Sequence, residues 1–550
     1  MKKLLLLLII PFLSFGQDSQ IVIDGEFNDW ENVDSINDPL DFVNNIDMID
    51  FISISITNDN NFLYIKFKAS NEFDLIDWPY NLSLFIDTDN DNSTGFLGSD
   101  GSDFMAGCEL SIQFGQKTIL YYNNDSPIGN PLSLYDLGVV CAPTVTSNEF
   151  EIAIDLTSNY NGISLFDNSV IGLQLIDWQS GDIIPNDISG LTYTLQDSPL
   201  NYPEIIIEKS NSNLIRVTAY NVQENGLITE ATDSLQRIIQ ALNSDIYAFS
   251  ECGGTSVNNV KNILDLIIPL NTAEGWVVIK KGGDDLILAS KYPIIQDWPN
   301  ESNGIQYMHP CLIDLPDDIY DKDLLIINAH TPCCTTTYLG ESADSLRQIA
   351  SDDFVNFILD AKSEGGIIDL DEGTPFILCG DLNLVGYSQQ LTTLLTGEII
   401  NTSLFGESGG MDWSNNNLKD QLCLHTEIPF AYTWQEDEIV PGSYPPGRLD
   451  FIIFSNDVMS AQKSFSINTE FMSQKSLNLY NLNTFDSYAS DHLAITTDFD
   501  ISLNASGIEN FNKEKLLLKG VNLLGKESTN KGFQLHIYDD GSVEKKYLIK

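Results

Sequence analysis

Phe376-Ile-Leu-Cys-Gly-Asp-Leu-Asn383 decides how the second half of this chain is read. Four apolar residues in a row form a short buried strand, and Gly-Asp-Leu-Asn at its end is a tight turn that presents one carboxylate and one amide at the strand tip. Alone, such a turn is ordinary. The same grammar recurs, however, through residues 211–502. Asn221 follows the run Leu214–Tyr220, Glu251 follows Asp245–Ser250, and His330 follows Leu324–Ala329. Arg448-Leu-Asp450 precedes Phe451–Phe454, and Ser490-Asp491-His492 precedes Leu493–Ile495.

Between these runs lie helical patterns. Thr232–Leu242 places Leu235, Ile238, Ile239 and Leu242 on one face, and Ser345–Ala361 forms a second helix. Alternating strands and helices over residues 205–502 predict one large layered α/β domain with two packed sheets.

The polar groups at the strand edges suit one chemistry. Hydrolysis of a phosphoester needs a divalent cation on the phosphate, an oriented water, and stabilisation of a crowded anionic transition state. Carboxylate and amide oxygens suit a hard cation, and histidine suits proton transfer near neutral pH.

The ordered set resembles the endonuclease/exonuclease/phosphatase superfamily, the deoxyribonuclease-I-like fold. That resemblance implies a four-layered α/β sandwich with the polar groups on one rim. It implies Glu251 as the main ligand of Mg2+ (or Mn2+ or Ca2+), with Asn221 beside it. His330 would contact the phosphate, Asp381 would orient or deprotonate the attacking water, and Asn383 would bind a phosphoryl oxygen. Asp450 would position a catalytic group across the site, and Asp491 would hold the imidazole of His492. Proton acceptance is left open between Asp381 and His492. Some surroundings depart from the family pattern: Ser250 precedes Glu251 and Cys252-Gly-Gly254 follows it, and Thr331-Pro-Cys-Cys334 follows His330.

Residues 20–198 read differently. Phe51–Thr57, Phe62–Lys68 and Asn81–Ile86 alternate with period two and are separated by turn clusters, which predicts an all-β sandwich. Ile23-Asp-Gly-Glu-Phe-Asn-Asp-Trp30 and Phe85-Ile-Asp-Thr-Asp-Asn-Asp-Asn-Ser-Thr-Gly95 resemble the DOMON-like and family-9 carbohydrate-binding sandwiches, implying a glycan- or surface-binding accessory module. Asp87, Asp89 and Asp91 at alternate positions form a candidate structural Ca2+ loop, although the glycine and glutamate of an EF-hand loop are missing.

Both ends carry address-like text. Lys2 and Lys3 precede the apolar Leu4–Phe15, the pattern of a signal peptide over residues 1–16. Residues 503–510 form a polar linker. Residues 511–550 hold eight lysines against five acids and alternate around Asp540-Gly541 as a small β domain. This tail resembles the C-terminal sorting domain of type IX secretion substrates, which implies export to the exterior or cell surface through that machinery.

The chain has 550 residues and a net charge of −52, with four arginines in all. Such a body repels polyanions unless cations intervene. No apolar run after the first residues approaches the ~20 that a spanning helix needs. Eight cysteines in an exported chain suggest disulfides, with Cys108 and Cys141, the two in the sandwich, as natural partners. The expectation is therefore a secreted, divalent-metal-dependent phosphoester hydrolase, foremost an extracellular nuclease or other phosphodiesterase. Two alternatives are kept: a phosphomonoesterase on sugar or inositol phosphates, and a carbohydrate-binding surface protein with an inactive hydrolase domain. The sequence is silent on oligomeric state.

Overall fold

The runs Ile215–Asn221, Ile246–Ser250, Leu324–His330 and Phe376–Asp381 are buried along nearly their whole length, as strands covered on both faces are. In the computed structural model they build two six-stranded sheets. One runs Val277–Lys280, Ile287–Ser290, Ile246–Ser250, Ile215–Asn221, Ile495–Asp500, Ser460–Ser466. The other runs Ile294–Asp297, Met308–Ile313, Leu324–His330, Phe376–Asp381, Asp450–Phe454, Lys419–Asp420. The structure describes residues 20–40, 48–77, 82–98, 105–187, 189–282, 285–299, 304–333, 337–338 and 341–501, together with strands 517–521, 532–538 and 543–548.

The two sheets pack face to face on Val217, Ala219, Ala248, Leu288, Ile326, Ile377, Cys379 and Ile452, all essentially sealed from solvent. Asn328 ties them together across this core, its amide donating to the carbonyls of Phe249 (3.0 Å) and Ile287 (3.2 Å) in the facing sheet. Helices close the outer faces. Thr232–Leu242 and Val257–Ile267 cover the first sheet, and Ala343–Ala361 with Gln389–Thr396 the second. The result is four layers, α/β/β/α. Parallel pairing brings strand ends together, Asn221 with Ser250 and His330 with Asp381, and antiparallel pairing sets Asp450 opposite Asp381.

Residues 35–194 form a five-stranded and an eight-stranded antiparallel sheet around a separate core that includes Phe51, Leu63, Phe67, Leu84, Leu110, Phe150 and Leu173. The segment Ile23–Trp30 is part of the folding machinery here. Trp30 is 2% exposed, and its indole donates to Glu151, whose carboxylate also accepts the N–H groups of Asp24 and Gly25. Trp30 of this motif is thus a core residue. Among the described residues no helix is long and apolar enough to cross a membrane.

The expected Cys108–Cys141 disulfide is not formed. Cys141 lies on Val140–Ala142 of the five-stranded sheet and faces the core between the sheets. Cys108 packs with Phe85 and Met105 on the opposite, outer face of the eight-stranded sheet. Strand alternation therefore directs the two thiols away from each other. The leader 1–16 and linker 503–510 lie outside the described residues. In the tail, Leu517–Val521, Gly532–Tyr538 and Val543–Leu548 form a three-stranded antiparallel sheet, with Ile537 opposite Val543.

The sandwich and the α/β unit share a core. Ile21, Ile23, Trp30, Phe62 and Val140 of the first pack with Ile428, Phe430, Tyr432 and Leu493 of the second. Backbone bonds join Ile23 to Pro429 and Ala431 (2.9 and 3.1 Å). Phe430 stands edge-on to Phe62 at 4.9 Å between ring centroids. Phe430→Ala should therefore cost about 3–5 kcal/mol, read as a lowered urea midpoint of the full chain, and should loosen the two units from each other.

Candidate active site

The register just described delivers four polar strand ends to one rim. Gly380 is what allows the Phe376–Asp381 strand to reach it: φ is +138°, and a Cβ there would sit 2.1 Å from the carbonyl oxygen of Ala329. Asn383 (φ +47°) and Glu251 (φ +57°) also adopt the left-handed region, which suits asparagine and strains glutamate.

Asp381 is the hub. Its Oδ2 accepts from the Asn221 amide at 3.0 Å and lies 3.6 Å from His330 Nε2 and 3.5 Å from His492 Nε2. The Asn221 amide also donates to Glu251 Oε1 at 3.0 Å, and the second Glu251 oxygen accepts the backbone N–H of Glu224 at 2.8 Å. His492 Nδ1 pairs with Asp450 Oδ2 at 2.8 Å, and His330 Nδ1 pairs with Asp285 Oδ2 at 2.7 Å. Two carboxylate-bound imidazoles thus face the same oxygen of one buried carboxylate.

The imidazole of His492 is held by Asp450, and this corrects the expected role of Asp491. The Asp491 carboxylate instead accepts the Trp434 indole N–H at 3.0 Å, because strand alternation turns neighbouring side chains to opposite sides. Asn383 brackets the turn, its backbone N–H donating to Asp381 Oδ1 and its amide to the Thr331 carbonyl, both at 3.0 Å. Asn221, Glu251, His330, Asp381, Asp450 and His492 meet in one place.

Three contributors escaped the sequence. Asp285 directly precedes the apolar strand Ile287–Ser290, the same edge signal that flagged the others. Thr433 accepts the N–H groups of Leu449 and Asp450 (3.0 and 2.9 Å) and so fixes the Asp450 backbone. Neither Thr433 nor Trp434 lies on a strand that periodicity could reveal.

Electrostatics sharpen the arrangement. Burial alone would depress His330, but the Asp285 hydrogen bond and the charges of Asp381 and Glu251 outweigh it and raise its pKa to about 9. Burial opposes protonation of His492 too, and Asp450, Asp381 and Asp491 overcome it, raising the pKa to about 10. Burial pushes Asp381 upward, against the charges of His492 and His330. Asp491 is raised to about 6, chiefly by burial.

Residues 218–492 match the model of the Endonuclease/Exonuclease/phosphatase family, half of the chain. The chain belongs to that family. Typical members are metal-dependent phosphodiesterases, nucleases or phosphatases. Among solved structures, a humanised TDP2 from D. rerio is 13% identical over 52% of this chain and 100% of its own, with a TM-score of 0.32. The catalytic domain of human Nocturnin is 16% identical over 52% and 94%, with a TM-score of 0.30. Beta toxin from Staphylococcus aureus is 15% identical over 52% and 99%, with a TM-score of 0.33. No curated protein matches the chain.

The family's divalent cation fits the residues present. Glu251 offers hard oxygens at the solvent edge, Asn221 lies beside it with its amide oxygen accepting the Gln223 N–H at 3.0 Å, and Oδ1 of Asp450 and of Asp491 are buried with no hydrogen-bond partner among the described residues. Asp381, Asp450 and His492 also gather within 4.8 Å, but the Asp450–His492 hydrogen bond marks these as a dyad with its acceptor.

In the sandwich the expected acidic loop is rearranged. Asp87 and Asp89 converge with Glu109, while Asp91 turns outward onto Ser93 and takes no part. The loop doubles back at Asp91–Thr94, which removes the third alternate carboxylate and leaves room for Glu109, just before the strand Leu110–Gln113.

A folded-state pKa of about 10 for His492, against ~6.5 unfolded, means its stabilisation is complete below pH 6.5 and is lost as pH rises through 10. NMR titration of chelator-treated protein should place the His492 ring near 10, and Asp450→Asn should move it down by more than one unit.

Proposed function

We propose that this chain is a secreted, divalent-metal-dependent hydrolase of phosphodiesters. The observation that carries the reading is Asp381 Oδ2, set between two carboxylate-paired imidazoles and joined through the Asn221 amide to Glu251.

Glu251 and Asn221 would hold the cation, which supplies Lewis-acid polarisation of a phosphoryl oxygen. The protonation states divide the remaining roles. At neutral pH both imidazoles already carry their protons, so the Asp381 carboxylate is the group able to orient a water and accept its proton. His330 and His492, as imidazolium ions, face the charge that builds on phosphorus and its leaving oxygen. Asp285 and Asp450 keep those rings charged and oriented. Asn383 sets the Asp381 carboxylate through its backbone N–H, and Asp491 braces the wall formed by Trp434.

The same constellation would serve a phosphomonoester, so substrate comparison decides between the two. The full chain should hydrolyse bis-p-nitrophenyl phosphate faster than p-nitrophenyl phosphate, lose activity in EDTA and regain it with Mg2+ or Mn2+. His492→Ala should lower kcat by about 10³-fold or more, in line with removal of a charge-stabilising group, with far-UV circular dichroism unchanged. Turnover by that variant at the wild-type rate would sink the assigned role.

The leader-like residues 1–16 and the sheet-forming tail 511–550 support export by the type IX route. Asp87, Asp89 and Glu109 support a structural Ca2+ site in the sandwich. Calcium should raise the Tm of chelator-treated protein, and Glu109→Gln should remove that rise.

A further inference from the structure

One wall of the active site is a loop with the sequence Trp434-Gln-Glu-Asp-Glu438. It is held at both sides. Trp434 donates its indole N–H to Asp491, and the backbone N–H of Gln435 donates to the Asp491 carbonyl at 2.9 Å. The next N–H, of Glu436, donates to the hydroxyl of Tyr135 at 2.7 Å, a residue of the β-sandwich. Gln223, two residues after Asn221, closes the ring by donating its side-chain amide to Asp437. Asp437 lies close enough to Asp491 to raise its pKa, and Asp437 and Glu438 are exposed at the rim.

No arginine is left to offset this negative edge. Arg216 is bound to Asp498, Arg237 to Asp486, Arg347 to Asp344 and Arg448 to Asp420. Lys280, on the strand beside the Glu251 turn, spends its ammonium on the carbonyls of Cys252, Gly253 and Thr255 (2.7, 2.7 and 3.0 Å), and Lys281 is buried. The positive groups that the site turns inward are the two imidazoles, and both face the position of the scissile phosphate.

We infer that Glu436, Asp437 and Glu438 form a charge filter, and that the site takes phosphodiesters whose scissile phosphate is their only negative charge. The inference rests on the phosphodiesterase reading of the same site. A bound divalent cation and the rings of His330 and His492 would face that one phosphate. The phosphates that flank the scissile one in a polynucleotide would meet this carboxylate rim, and repulsion between exposed charges reaches about one Debye length, ~8 Å at physiological salt. A nuclease groove binds flanking phosphates with lysine and arginine and therefore loses affinity as salt rises. Here the flanks meet carboxylates, so the salt dependence reverses. Tyr135 gives the sandwich a part in substrate choice, since it fixes the filter's first residue from outside the α/β unit.

The test keeps the scissile bond constant and varies only the flanking charge. Full-length protein with Mg2+ is given the 5′-p-nitrophenyl phosphodiester of thymidine, and the same ester at the end of a short oligothymidylate. The single-charge ester should show the higher kcat/KM, by about 10-fold at low salt, and added NaCl should raise kcat/KM for the oligonucleotide ester while hardly moving the other. The triple variant Glu436→Gln, Asp437→Asn, Glu438→Gln should shift the ratio of the two values toward the oligonucleotide by about 10-fold. An oligonucleotide ester that is preferred, with salt inhibiting its cleavage, would overturn the filter. The native salt profile alone decides this if the variant misfolds. If neither ester is cleaved with any divalent cation, the hydrolase reading fails first; cleavage of the single-charge ester separates the two failures.

Discussion

A carboxylate sealed from water is costly unless something supplies compensating charge, and Asp381 is such a group. Its compensation comes from three side chains: the amide of Asn221 and the ring of His330 at strand ends, and the ring of His492 just before the strand Ile495–Asp500. Each of these must be in register for the buried charge to be tolerated. The strand pairings, the inter-sheet bridge of Asn328 and the left-handed turns at Glu251 and Asn383 can all be understood as conditions for that one arrangement. The two imidazoles are in turn held charged by Asp285 and Asp450, so the cluster is an alternating lattice of charges and not a pool of like ones. An alternating lattice is less costly to bury and better preorganised for an anionic transition state.

Much of this was legible in the sequence because the sheet strands are short, apolar and end in polar groups. The helix Thr232–Leu242 lies where its 3.6-residue stripe placed it, and the strands around Asn221, Glu251, His330 and Asp381 shifted by only a residue or two. The strand-edge rule works since a side chain at the tip of a covered strand is the first to reach solvent. What the rule lacks is facing. Asp491 and His492 are neighbours in sequence, so pairing them was natural, yet adjacent side chains in an extended backbone diverge and His492 finds Asp450, 42 positions away in the chain.

Cysteines misled for a related reason. Two thiols in one sandwich can pair across its core only if both point into it, and here Cys141 does while Cys108 lies on the outer face. Glu109 was invisible as a companion of Asp87 and Asp89 because it lies beyond their loop, just before the strand Leu110–Gln113. The irregular segment 428–449 holds Thr433 and Trp434, carries no periodicity at all, and is ordered by its contacts with what surrounds it.

Phe430, Ile428 and Tyr432 on that segment are covered by Ile21, Ile23 and Phe62 of the sandwich. An α/β unit cut free near residue 200 would present these rings to water as a sticky face directly behind its own catalytic wall. The sandwich is therefore no bead on a string: exchanging it for another domain would uncover this apolar seam unless the replacement covered the same rings.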